Sequence, residues 1–239
     1  MTLDVPGDVS ERPYPHDLNA ILETTREIAK TIVARNAEAV DAESRWPEEA
    51  IRALQAAGLG GLTVPAKFGG LGHGSYAVAQ VCEILGQECA STAMCFGMHC
   101  VGSAVLSAKA TPDQQRRYLE PIVAGEHLTT LSLSEAGTGS HFYIPNTQLV
   151  ADGDGYCVSG TKTFVTNGSY ADSYVISTVA AAEDGPIGQF SCVVVPKEAQ
   201  GLSWGDEWSG MGMRGNSSRS LSLQGVAVPG GDLLGEKGD

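Results

Sequence analysis

The feature that most constrains this chain is a change of hydrophobic period near Gly125-Glu126. Before it, apolar residues recur at helical spacing. After it they alternate or gather in short β-branched runs separated by Gly, Asp and Pro. A helix buries a stripe that repeats every three to four residues and a strand buries every second one, so the change of period marks a change of architecture. The chain reads as α+β, an all-α section followed by a β-barrel or sandwich. The organisation expected is an extended arm over 1–16, where Pro6, Pro13 and Pro15 interrupt any helix, a helical domain over 17–125 and a β domain over 126–239.

Within the helical section, Asp17 is an N-cap for a helix carrying Leu18, Ile21, Leu22, Ile28, Ile32, Val33 and Val40 on one face. A second helix starts at Pro47, with Glu48 and Glu49 in its first turn, and stops at Gly58. Residues 75–109 read as two largely buried helices whose Met and aromatic stripe is core. Thr111-Pro112-Asp113-Gln114 opens another helix with a capping box. The glycine-rich Phe68–Gly74 follows no clear strand and lacks a Walker lysine, so it reads as a turn.

Strands are expected over Leu128–Leu133, Gln148–Val150, Tyr156–Ser159, Tyr174–Val179, Phe190–Val195 and Ser220–Val226, with a surface loop over Ala180–Gly188. Asp152-Gly153-Asp154-Gly155 is a hairpin signal, because Asp-Gly supplies positive φ where a tight turn needs it. That hairpin folds two polar strand ends toward one another, Ser134–Ser140 and Phe164–Asn167. Such ends offer backbone N–H groups and hydroxyls beside apolar side chains, which suits a flat ring with a polar edge and a phosphate. On the residues alone an ordinary β domain with Gly/Ser turns is the competing reading.

Fifteen basic against twenty-eight acidic residues, a formal charge of -13, speak against a nucleic-acid-binding face. A local basic spot for a phosphorylated ligand would draw on Lys162, Arg214 or Arg219, read as solvated surface residues. The six cysteines show neither Cys-x-x-Cys spacing nor a metal-ligand pattern with the five histidines, which fits buried free thiols and no metal site. Nothing at the N-terminus reads as a signal or transit peptide, and no apolar run is expected to reach bilayer length, so a cytoplasmic protein without a membrane span is expected.

Ser134-Glu135-Ala136-Gly137-Thr138-Gly139-Ser140-His141 and Gly160-Thr161-Lys162-Thr163-Phe164-Val165-Thr166-Asn167 resemble, in residues and spacing, the middle domain of the acyl-CoA dehydrogenase family. Phe68–Gly72, Gly212–Ser218 and Val226–Glu236 are also similar to family segments, so the resemblance runs from about residue 18 to the end of the chain. It implies an FAD-dependent oxidoreductase of fatty acid metabolism. A base removes a proton beside the thioester carbonyl of an acyl-CoA while a hydride leaves the next carbon for the flavin. By position, Leu131, Ser132, Leu133 and Ser134 would lie along the isoalloxazine. Gly139 and Ser140 would sit at the flavin phosphates, with Ser140 also near the acyl-CoA chain, and Phe164, Val165 and Thr166 would line the ring's other side.

The resemblance further implies an electron acceptor such as an electron-transferring flavoprotein, and a homo- or hetero-oligomer. The family's third, helical domain carries its usual catalytic glutamate and is expected to be missing from this chain, so no residue here is assigned as the base. Ala136 stands where the family has proline and His141 where it has aspartate, and both changes bear on substrate preference. Two other readings stay open, a non-catalytic partner subunit and a related flavin monooxygenase.

Overall fold

The computed structural model describes residues 17–141, 143–180, 190–236 and 238. The expected arm over 1–16 and nearly all of the Ala180–Gly188 loop lie outside the described residues. The helical section begins at α1 (Leu18–Ile28), whose N-cap Asp17 accepts a hydrogen bond from the Ala20 amide at 3.2 Å. A π-helical turn (Ala29–Val33) carries it on into α2 (Ala34–Ala42). α3 (Glu48–Ala56) starts directly after Pro47 and ends before Gly58, whose φ of 76° breaks the helix. α4 (Ser75–Glu88) and α5 (Ala90–Ala108) are the two helices expected over 75–109.

The Thr111 capping box forms as the sequence requires. The Gln114 amide donates to Thr111 Oγ1 at 3.2 Å and the Thr111 amide to Gln114 Oε1 at 2.9 Å, opening α6 (Pro112–Gln114). The last helix, α7 (Glu120–Ala124), stops at Gly125, whose φ is 76°.

The β section is one mixed sheet of β1 (Thr129–Ser132), β2 (Gln148–Asp152), β3 (Gly155–Val165), β4 (Ser173–Ala180), β5 (Phe190–Pro196), β6 (Leu202–Trp204), β7 (Arg219–Val228) and β8 (Leu233–Leu234). Its order is β6-β7-β3-β2-β4-β5-β8, with β1 paired to β4. The 152–155 hairpin is present, with Asp152 opposite Gly155 and Gly153 at φ 60°. Val193 and Val195 of β5 share one core with Leu221, Leu223 and Val226 of β7, so the sheet wraps around that core.

Two details of topology place the site. β3 runs well past the expected Ser159, to Val165. β1 and β2 both lie parallel to β4 but in succession, β1 beside Ser173–Ile176 and β2 beside Val179 and Ala180, so residues 133–147 are extruded from the sheet between them.

α5 packs directly on β1. A Cβ on Gly102 would come within 3.0 Å of the Thr130 carbonyl carbon, so glycine sets how closely helix and strand approach. The expectation about membrane length needs correction, because α5 has 19 residues at a mean hydropathy of 1.2, long and apolar enough by those measures to cross a bilayer. More than half of that window is buried against the rest of the protein, as in the core helix of a globular fold.

Candidate functional site

The two polar strand ends lie side by side, joined by the Thr163 amide, which donates to the Ser134 carbonyl at 2.7 Å. Beyond this bond the second tip turns sharply. Phe164 and Asn167 take left-handed φ values of 55° and 60°, and the Phe164 ring is thrown outward, 63% exposed, edge-on to Trp208 at 5.9 Å between centroids. Thr166 is buried at this tip, its Oγ1 within 3.1 Å of Ser218 Oγ.

Asn167 anchors the turn. Its Nδ2 donates to the Cys95 carbonyl at 2.9 Å, its Oδ1 accepts from Trp46 Nε1 at 2.9 Å, and its amide donates to the Asn216 carbonyl at 3.1 Å. Trp46 stacks in turn on Tyr170, with centroids 4.6 Å apart.

At the first tip, Leu133 and Ser134 are half-buried, while Leu131 and Ser132 lie inside the protein. Leu131 belongs to a core cluster with Val175, Val194 and Leu106, and Val165 at the second tip is likewise buried. Gly139, at φ 53°, and Ser140 stand exposed on the extruded loop, followed by exposed His141, Tyr143 and Ile144.

The cationic candidates are all engaged with carboxylates. Arg214 bonds Asp41 at 2.7 Å and Arg219 bonds Glu207. Lys162 is not a solvated surface residue as expected but is fully buried, its Nζ 2.7 Å from Glu135 Oε1 and 2.8 Å from Ser177 Oγ. Its burial was readable from period two, because Lys162 falls on the same face of β3 as buried Val158.

Glu135 also accepts from the Asn146 amide at 2.7 Å, from the Thr147 amide at 3.1 Å and from Thr147 Oγ1 at 2.7 Å. Burial raises its pKa, but the bonds from Lys162, Thr147 and Asn146 outweigh that and hold it below the ordinary carboxylate range. Burial lowers the Lys162 pKa, and Glu135 only partly restores it. Glu135 is therefore a poor proton acceptor despite lying next to Ser134.

Among the described residues no group of His, Cys, Asp and Glu could hold a metal, and all six cysteines are free. A groove of about 340 Å³ between α1 and α4, lined by Leu22, Arg26, Gln80 and Ile84 among others, involves none of the tip residues.

The models of the acyl-CoA dehydrogenase N-terminal domain and middle domain match residues 15–126 and 130–226. The chain belongs to the acyl-CoA dehydrogenase family. A curated relative, the cyclohex-1-ene-1-carbonyl-CoA dehydrogenase of Geobacter metallireducens, is 35% identical over 219 residues, covering 91% of this chain and 57% of its own length. Among solved structures, an acyl-CoA dehydrogenase of Geobacillus kaustophilus superposes with a TM-score of 0.83 at 25% identity, over 95% of this chain and 60% of that one. A chain from the structure of the electron-transferring flavoprotein of Acidaminococcus fermentans gives 0.85 at 26% identity, over 95% and 60%. This member of the family thus spans somewhat under three-fifths of the length of the curated relative. The flavin expected from the Ser134–Ser140 and Phe164–Asn167 motifs is the cofactor of the family.

Proposed function

We propose that this chain carries the flavin-binding edge of an acyl-CoA dehydrogenase, which removes hydrogen from the α and β carbons of an acyl-CoA thioester. The observation that carries the reading is the junction of the two tips at the 2.7 Å Thr163–Ser134 bond, with a strained, outward-facing aromatic ring and a threonine hydroxyl beside it. Backbone strain at an exposed aromatic is costly, and such strain concentrates at ligand sites.

The residues fit FAD. Phe164 offers an apolar face to a ring, the Ser134 and Thr166 hydroxyls offer donors to its polar edge, and the Gly139-Ser140 turn offers N–H groups to phosphate. FAD, when bound, supplies the acceptor for the hydride from the β carbon. The chain's own part is to hold the ring at the tips and to place Ser140 where the thioester chain passes. The α proton needs a separate base, and Glu135, tied by four hydrogen bonds, is unsuited to that work. No residue of this chain is assigned as the base; the electron acceptor in this reading is an electron-transferring flavoprotein and the assembly a homo- or hetero-oligomer.

A domain division near residue 125 and a cytoplasmic location complete the reading. The test is anaerobic addition of an acyl-CoA to the assembly that contains this chain together with the remaining length of its relatives. The yellow flavin should bleach. A colourless assembly that FAD cannot reconstitute would favour the non-catalytic partner subunit. Bleaching only with an external reductant, followed by oxygen-dependent product, would favour the monooxygenase.

A further inference from the structure

Between Ser132 and Gln148 the chain leaves the edge of β4. Lys162 reaches into the gap beside Ser177. Reaching in from β3, its ammonium donates to Ser177 Oγ at 2.8 Å, to Glu135 Oε1 at 2.7 Å and, more weakly, to the Leu133 carbonyl at 3.4 Å. Glu135 then closes the neck of the extruded loop by accepting from Asn146 and Thr147. One ion pair thus ties together the start of the loop, its end, and β3 two residues ahead of Phe164.

Burying both charges is weak support for stability, because apolar residues of similar volume commonly serve as well. What such a pair adds is a fixed geometry. Resting on the flavin reading above, we propose that Lys162–Glu135 is a positioning pair for the flavin edge. It holds the Ser134 tip against the Thr163–Thr166 tip at the spacing of the Thr163–Ser134 bond, and it fixes the base of the loop that carries Gly139 and Ser140. Neither side chain touches the ligand, since both are buried behind the tips.

The test uses the full chain with Glu135→Gln and Lys162→Met combined, which removes both charges together and keeps one acceptor oxygen for Thr147 while the Asn146 amide loses its partner. Ser177→Ala, which removes one acceptor of Lys162, is the milder companion. Two quantities are read: amide hydrogen exchange in the ligand-free chain, and the FAD dissociation constant from a visible absorbance titration. In the double variant, exchange at Thr163, Asn146 and Thr147 should quicken about tenfold or more while the Val193 and Val194 amides of β5 stay unchanged, and FAD should bind about tenfold more weakly. Ser177→Ala should move both in the same direction by roughly two- to fivefold, and it decides the matter if the double variant fails to fold.

Unchanged exchange at the three amides overturns the positioning role whatever FAD does. Faster exchange with unchanged FAD affinity overturns it too, while leaving the flavin reading intact. A wild-type chain that takes up no FAD overturns the flavin reading and this inference with it.

Discussion

Phe164 holds a left-handed backbone that glycine would adopt freely, and it does so to display a ring that is mostly in solvent. Folding alone does not call for that arrangement. Phe164→Gly should therefore leave thermal stability equal or raise it by up to about 1 kcal/mol while weakening FAD binding, read by melting and by titration on the same samples. His99 makes a second claim at this scale. Its Nδ1 accepts from the Thr129 amide at 3.1 Å and its Nε2 donates to the Gly60 carbonyl at 2.9 Å, an arrangement that requires the neutral ring. Burial pushes its pKa down to about 4, against the opposing pull of the Gly60 and Thr129 carbonyls beside the two ring nitrogens. The unfolded chain binds a proton below about 6.5 and the folded one does not, so the stabilisation is complete above about 6.5 and is lost as pH falls toward 4. The loss should reach about 3 kcal/mol in denaturant titrations, and His99→Gln should flatten that limb.

At the scale of elements, close approach replaces a side chain at Gly160, as it does at Gly102. A Cβ on Gly160 of β3 would lie 2.5 Å from Thr147 Oγ1 and 2.7 Å from Thr147 Cα, so Gly160→Ala should push β3 away from the neck of the extruded loop. We expect a cost of about 1–3 kcal/mol by denaturant unfolding, with weakened FAD binding; a silent substitution would mean that the neck is looser than drawn. The helices were legible in the sequence because their signals are local: the Asp17 cap, the Pro47 start and the Thr111 capping box each act within one turn. The hairpin at Gly153 was legible for the same reason. The extrusion between β1 and β2 and the full length of β3 were not, because each depends on which distant strand pairs with which; Lys162 shares a face with Val158, but that counts only once β3 is known to run past Ser159. The tip motifs were found through spacing and resemblance. Their anchor, Asn167 bonded to Trp46 and Cys95, joins residues far apart in the chain and left no local trace.

Over the whole molecule, the helical and β sections are clamped at several points. Asn167 meets Trp46 and Cys95, His99 spans Gly60 and Thr129, Gln114 Nε2 donates to the Gly231 and Leu233 carbonyls at 2.9 and 2.7 Å, and Arg117 pairs with Asp232 at 2.6 Å. Contacts so distributed should make the chain unfold as one unit. Far-ultraviolet circular dichroism and tryptophan fluorescence are expected to report coincident transitions, and two separate midpoints would show the sections melting independently. Asn167→Ala cuts one clamp and leaves buried groups unpaired, so it should lower that shared midpoint, with a cost of about 2–3 kcal/mol. The central claim is that the Ser134 and Thr166 tips together form the seat of a flavin. It is tested most directly by titrating the isotope-labelled chain with FAD and mapping the shifted amide resonances. The expected shifts are saturable and concentrate at Ser134, Gly139, Ser140, Thr163, Phe164 and Thr166; shifts confined to the groove between α1 and α4, or no shifts at all, would contradict it.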